Sequence, residues 1–282
     1  MNEAVSIVIP AYTTSSKGRN DLVCLTSKIA KQLREESLTR YWALTIIDDG
    51  SPWSVSRVDW LDKDVVCVPT KHGGVARARN IGILISRWAG YVVFVDADDN
   101  VPEDFIKILK NRVDYEAKRT DSRPDIIQFN ARYEDGSVGY PEPCAWGKLI
   151  STEWIGDDRF DEDQLIGEED TLFHKDGKTS VVEHDERILY LHRQSANPDS
   201  LMKRYWRGEI PRRRGGECYK PEADKHALRK ILRNYSYQLG HRLQHGESVT
   251  SQDLNCIGDD LKTISAIEFA IKDAKEVPRG KE

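Results

Sequence analysis

Long apolar runs, basic character and paired cysteines are all scarce in this chain of 282 residues. Each shortage removes a class of function. No stretch approaches the ~20 apolar residues that a membrane-spanning helix needs. Met1-Asn2-Glu3-Ala4-Val5 leads straight into a strand pattern, without the basic and apolar regions of a secretory signal. The expected location is therefore cytoplasmic. The five cysteines, Cys24, Cys67, Cys144, Cys218 and Cys256, are odd in number, widely spaced and without a Cys-x-x-Cys pair. That fits reduced thiols better than disulfides or zinc. A net charge of −5 argues against a surface that binds polyanions everywhere and leaves only local basic patches. There are no internal repeats and no low-complexity segment. Three common signatures are missing as well: Gly-x-Gly-x-x-Gly after the first strand, Gly-x-x-x-x-Gly-Lys-Ser/Thr, and Gly-x-Ser-x-Gly. Their absence weighs against dinucleotide binding, a P-loop and a hydrolase elbow.

What is present is an alternation of apolar strands and amphipathic helices. Hydrophobic residues make up 39% of the chain, but they cluster into runs, which argues against disorder throughout. Val5–Ile9 reads as a strand ended by Pro10. A helix follows, with Leu22, Leu25, Ile29 and Leu33 at helical spacing. Ala43–Ile47 is a second strand, stopped by Asp48-Asp49-Gly50-Ser51-Pro52, and Val65–Val68 is a third. Val75–Trp88 is helical, with Gly90 beyond its end. Tyr91–Val95 is a continuous apolar strand, and Pro102-Glu103-Asp104 opens a further helix. Asp125–Asn130 is another strand. Residues 131–200 are less regular. Two amphipathic helices are expected at about 222–245 and 251–275. The fold class is therefore α/β, a Rossmann-like, mostly parallel sheet with flanking helices plus a C-terminal helical pair.

The chemistry gathers where strands end. Asp96-Ala97-Asp98-Asp99 follows the Tyr91–Val95 strand, and open α/β sheets bind ligands at the carboxyl ends of their strands. In extended geometry Asp96 and Asp98 point to the same side. Two such carboxylates suit a hard dication, Mn2+ or Mg2+, carried on a nucleotide diphosphate. The plainer reading of Asp-x-Asp is a solvated loop.

Four segments, in order and spacing, resemble the family-2 glycosyltransferases with the A-type nucleotide-sugar fold. They are Val5-Ser6-Ile7-Val8-Ile9-Pro10-Ala11-Tyr12, Ile47-Asp48-Asp49-Gly50-Ser51, Gly74-Val75-Ala76-Arg77-Ala78-Arg79-Asn80 and Val95-Asp96-Ala97-Asp98-Asp99. Further on, Ala145-Trp146-Gly147-Lys148-Leu149, Gly167-Glu168-Glu169-Asp170-Thr171-Leu172-Phe173, and His192-Arg193 with Asn197-Pro198-Asp199-Ser200 resemble its acceptor-side and closing motifs. The resemblance covers about residues 4–202 and leaves out the terminal helices.

It implies donor-binding roles for Pro10, Ala11, Tyr12, Asp48, Asp49, Arg79, Asp96, Ala97 and Asp98. Asp49 would accept from the base edge, and Pro10, Ala11 and Tyr12 would wrap the base. Asp48 is read equally as a turn former. Asp96 would face the ribose or a metal-bound water, and Asp98 would be the main metal ligand. His192 is a third candidate ligand, set against an ordinary hydrogen-bonded histidine; His174 and His184 are weaker ones. Asp170 matches the general base of an inverting transfer. Glu169 is the alternative base, and a solvated turn the plainer reading of the three acids. Trp146 would stack on a sugar face or pack in the core. Lys148 would contact diphosphate or acceptor.

The resemblance thus implies an inverting, metal-dependent transfer from a nucleotide-diphosphate sugar, most simply a UDP-sugar, to a saccharide hydroxyl. Surface polysaccharide or glycoconjugate assembly is the expected setting. Two alternatives compete. One is the same chemistry on a polyanion such as a hydroxylated base in DNA, met by the basic run Lys203–Arg214 with Tyr205 and Trp206 interleaved. The other is a non-catalytic nucleotide-sugar binding protein. The expected organisation is a nucleotide-sugar half at 1–115, an acceptor and catalytic half of the same domain at 116–205, and a basic linker with helical extension at 206–282.

Overall fold

The computed structural model describes residues 3–39, 41–52, 61–141, 144–167, 170–173, 177, 179–193 and 201–215. The expected helices at 222–245 and 251–275 lie outside the described residues. The chain divides into two units, Met1–Pro198 and Asp199–Glu282.

The first unit is built on strands β1 (Val5–Ala11), β2 (Ala43–Asp48), β3 (Val65–Pro69) and β4 (Tyr91–Phe94), with helices α1 (Ser16–Glu35), α2 (Val75–Ile85) and α3 (Phe105–Ala117) between and after them. It continues through β5 (Ile126–Arg132), β6 (Val138–Gly139), β7 (Lys148–Ser151), α4 (Thr152–Ile155), α5 (Asp170–Phe173) and β8 (Val182–Leu191). In the second unit the described residues include α6 (Leu201–Trp206).

Among the described residues the strands form one eight-stranded sheet, ordered β3-β2-β1-β4-β7-β5-β6, with β8 also paired to β5. β1 is parallel to β2 and β4, β2 to β3, and β5 to β8. The strand β7 inserts antiparallel between β4 and β5. The sheet is thus mixed and mostly parallel. Ala11 pairs with Asp48 and Val8 with Phe94, so β1, β2 and β4 finish along one edge.

All seven residues of β1 are buried, as a strand covered on both faces must be. Successive side chains alternate faces. Val5, Ile7 and Ile9 pack with Leu22, Leu25, Ile29 and Leu33 of α1 and with Phe105 and Leu109 of α3. Val8 joins Ala76, Ala78 and Ile83 of α2 on the other face. Each fully buried aliphatic side chain contributes about 1.5–3 kcal/mol relative to exposure. Ser15 caps α1, its side chain accepting from the Gly18 N–H. The start of α3 is served instead by Gln32 of α1. Its Oε1 accepts from the Ile106 N–H and its Nε2 donates to the Pro102 carbonyl, both at 3.0 Å. The apolar face read from the sequence for α1, Leu22, Leu25, Ile29 and Leu33, is the buried one.

Candidate functional site

The end of β2 turns sharply. The Ser51 N–H donates to Asp48 Oδ1 (3.0 Å), and the Thr13 N–H donates to Ser51 Oγ (2.9 Å). Asp48 therefore serves the turn, and the turn ties down the loop after β1. Asp49, 3% exposed, accepts from the backbone N–H groups of Gly73 and Gly74, one on each carboxylate oxygen, both at 2.8 Å. Its Oδ2 also lies 2.8 Å from His72 Nδ1. Gly50 allows this approach: it has φ +71°, and a Cβ there would lie 2.7 Å from the His72 backbone nitrogen. The His72 ring stacks on Tyr12, with centroids 4.3 Å apart. Tyr12 is 48% exposed, so the pair forms an open aromatic ledge beside Asp49.

The end of β4 carries the second acid group. Asp96 is paired with Arg79 of α2. Burial pushes the Asp96 carboxyl up to about 6; Arg79 opposes that shift, and the charges of Asp99 and Asp98 add to it. Asp99 is the buried hub of the loop, 3% exposed. It accepts from the Tyr190 hydroxyl (2.8 Å) and from the Arg193 N–H (2.7 Å), and it contacts His192 Nδ1 at 3.1 Å. The Tyr190 hydroxyl in turn accepts from the Asp96 N–H (2.9 Å). The Arg193 guanidinium donates to the Asp98 carbonyl at 3.0 and 2.8 Å. The end of β8 thus clamps the acidic loop. His192 is held above its ordinary proton affinity; burial works against this, and the Asp99 bond and the neighbouring acids outweigh it.

Trp146 is 6% exposed and stacks on Tyr190 at 4.3 Å and on His192 at 5.2 Å. Lys148, 5% exposed, donates from Nζ to the carbonyls of Pro141 (2.6 Å) and Cys144 (2.5 Å). Both therefore lie within the wall of the site. Pro10 and Ala11 are buried at the end of β1, and Ala97 is partly buried between the two acids. Asp170 opens α5; its side chain, Glu168, Glu169 and His174 lie outside the described residues. His184 lies in β8, where its ring is 4.3 Å from that of Tyr140.

Among the described residues, no three His, Cys, Asp or Glu side chains are grouped to hold a metal ion. Asp96 is committed to Arg79 and Asp99 to Tyr190, Arg193 and His192. The residues that would hold a cation are Asp98 and His192, the latter through Nε2, the ring nitrogen that does not face Asp99. This set fits Mn2+ or Mg2+ held mainly by substrate phosphates, since such ions take only one or two protein carboxylates there. It also has the carboxylate–histidine support common behind metal ligands. Tyr190, His72 and Asn80 are the residues to which sequence reasoning assigned no role. For the first, the signal was a tyrosine two positions before the His-Arg pair.

Residues 6–152 match the family model "Glycosyl transferase family 2". The chain belongs to glycosyl transferase family 2. Two glycosyltransferases of Streptococcus pneumoniae serotype 4 (strain ATCC BAA-334 / TIGR4) are similar to this family-2 chain. GlyA is 25% identical over 224 residues, 68% of this chain and 30% of GlyA. GlyG is 30% identical over 118 residues, 40% of this chain and 36% of GlyG. The chain thus spans about a third of the length of the curated relatives it matches. Among solved structures, S. aureus TarS 1-349 in complex with UDP-GlcNAc superposes with a TM-score of 0.54 at 14% identity, covering 82% of this chain and 66% of that one. TarS 1-349 alone gives 0.53 at 15% identity, covering 96% and 88%. At those identities the likeness concerns the fold, the A-type glycosyltransferase arrangement. No helix among the described residues is long and apolar enough to cross a membrane.

Proposed function

We propose that this chain catalyses an inverting transfer of a sugar from a nucleotide-diphosphate donor, a UDP-sugar first of all, to a hydroxyl of a saccharide acceptor, with Mn2+ or Mg2+ on the diphosphate. The observation that carries the reading is the convergence, in a family-2 chain, of Asp48-Asp49 and Asp96-Asp98 at one edge of the sheet, with Arg79 bonded to Asp96. The complex of TarS with UDP-GlcNAc, a neighbour in fold, supports a nucleotide-sugar donor.

The residues divide the work. Asp49, oriented by two backbone amides, keeps lone pairs for a donor N–H on the base edge. Tyr12 and His72 offer a face to the base; Pro10 and Ala11 shape the floor. Asp96 faces the ribose, with Arg79 holding it in place. Asp98 and His192 would hold the cation, which when bound would supply charge neutralisation for the diphosphate leaving group. Asp170 takes the proton of the acceptor hydroxyl as the sugar carbon is attacked from the face opposite the diphosphate; Glu169 is the alternative base. Trp146 and Lys148 act from inside the acceptor wall, Trp146 by backing His192 and Lys148 by holding the Pro141 and Cys144 carbonyls. Assembly of a surface polysaccharide or glycoconjugate is the setting that this chemistry serves.

A screen of nucleotide sugars by thermal shift with Mn2+ identifies the donor, since a ligand of the native state raises its stability. Asp98→Ala and Asp170→Asn are then expected to lose transfer at least 100-fold, the upper range for a proton-transfer group being ~10⁴-fold. Full activity in both variants overturns the reading. One observation favours a polyanionic acceptor instead: Arg212, Arg213 and Arg214 are exposed in the second unit. Duplex binding that weakens steeply with salt would select that acceptor.

A further inference from the structure

Asn80 follows Arg79 in α2 and is 8% exposed, yet its amide serves a segment far away in sequence. Its Oδ1 accepts the backbone N–H of Phe160 (2.9 Å). Its Nδ2 donates to the carbonyl of the same residue (2.9 Å) and to Glu162 Oε1 (3.0 Å). A primary amide has one acceptor oxygen and two N–H donors, and here all three functions are used on one loop. Phe160 thereby has both backbone groups satisfied by a side chain, as a neighbouring strand would satisfy them. Asparagine is a poor residue for a helix interior, so its presence there points to this tertiary bond.

Phe160 is 2% exposed and joins two elements of the site. Its ring packs edge-on against Phe94 at the end of β4 (5.8 Å) and against Phe173 of α5 (6.3 Å). Phe173 also stacks on Trp154 at 6.2 Å and lies 5.5 Å from Lys148 Nζ. Asp170 opens the same short helix that Phe173 closes.

We propose that Asn80 is a positioning residue that sets α5, and with it Asp170, against the donor site. The inference rests on the reading of Asp170 as the base. Adjacent residues of one helix then hold the two halves of the reaction: Arg79 fixes Asp96 on the donor side, and Asn80 fixes Phe160 on the acceptor side. Helix α2 is the common ruler between them. Because a displacement of ~1 Å can cost ~100-fold in rate, such a ruler acts on the chemical step rather than on donor binding.

The test uses the full chain with UDP and Mn2+ as the donor-site probe, and the UDP-sugar giving the largest thermal shift as substrate. Asn80→Ala is expected to leave UDP affinity within about twofold and to lower kcat about 10–100-fold with donor KM unchanged. Backbone hydrogen exchange over 160–173 should rise at least tenfold while that over 91–95 stays the same. Asn80→Asp keeps the acceptor for the Phe160 N–H but loses both donors and places a charge beside Glu162. Adding Glu162→Gln supplies a donor again and is expected to return most of the lost kcat, which a merely destabilised protein would not do. Unchanged kcat in both Asn80 variants, or UDP affinity falling in step with kcat, overturns the proposal. In an Asp170→Asn background Asn80→Ala should add less than about twofold, and a fully multiplicative loss overturns the coupling. Full activity of Asp170→Asn alone overturns the assignment of the base instead, and the exchange measurement then still decides whether Asn80 holds α5.

Discussion

Arg79 Nη2 and Asp96 Oδ1 lie 2.9 Å apart, with the arginine side chain 3% exposed. The pair joins α2 to the end of β4, and the Arg79 guanidinium carbon also lies 5.8 Å from the Phe160 ring centroid. Asp96, Asp98 and Asp99 crowd one loop, so a positive charge at Arg79 offsets repulsion that the fold would otherwise carry alone.

Arg79→Ala should therefore destabilise the first unit by about 2 kcal/mol, the range for a hydrogen bond to a charged group. Asp96→Asn in the same chain removes the repelled charge, so the double variant should lose less than the sum of the singles. Urea unfolding of the four proteins measures this. Strict additivity would show that the pair contributes nothing jointly.

Tyr190→Phe makes a finer cut. The ring keeps its stack on Trp146, but the hydroxyl that accepts from the Asp96 N–H and donates to Asp99 is gone. Buried partners left unsatisfied cost about 1–3 kcal/mol. Stability should fall by that amount, and hydrogen exchange at the Asp96 amide should rise. Unaltered exchange at that amide would show that the loop is held by other bonds.

The first half of the fold was legible because its strands are continuous apolar runs and its helices carry plain 3.6-residue faces. The second half was not. The strand β8 contains His184, Asp185, Glu186 and Arg187, and its pairing with β5 shifts register between Phe129 and Ala131. Bulges and charges erase the period-two pattern on which a strand reading depends. The strand β7 is four residues long and reverses the sheet direction, which no local signal announces. The site divides in the same way. Asp49, Arg79, Asp96 and Asp98 stand in short motifs. Tyr190 and Asn80 act through partners 80 or more residues away, and such contacts exist only once the chain has folded.

Acid should weaken the α3–β8 contact. Glu183 is held below the usual carboxylate range by its Arg119 bond, against the cost of burial and with Arg112 adding to it. Burial alone would raise Asp185, but bonds and charge from Arg187, with Arg112, lower it. Both groups have depressed values in the folded state, so their stabilisation is present above their ordinary values of 4.5 and 3.8 and is lost as pH falls through the lower folded ones. Thermal melts of wild type and Glu183→Gln/Asp185→Asn should differ at pH 7 and converge as pH falls below the ordinary values of 4.5 and 3.8. A gap that widens in acid would mean that folding raises these two values instead of lowering them.

Gly82→Ala pits helix propensity against packing. Alanine is better than glycine inside a helix by about 1 kcal/mol. At this position, however, a Cβ would fall well inside contact distance of Val8 Cγ1, and Val8 is fully buried in β1. Valine is stiff at χ1 and its strand is paired on both sides, so neither side chain nor backbone can yield cheaply. Overpacking of this kind costs about 1–3 kcal/mol, and the net change should be destabilising. Adding Val8→Ala removes the obstructing methyl groups and should make the Gly82→Ala step neutral or favourable, although Val8→Ala by itself lowers stability through the space it leaves. Urea midpoints of the four proteins give the sign in each background. A stabilising Gly82→Ala in the wild-type background would mean that α2 can move away from β1, and the close approach that seats Arg79 and Asn80 would then not be fixed by this glycine.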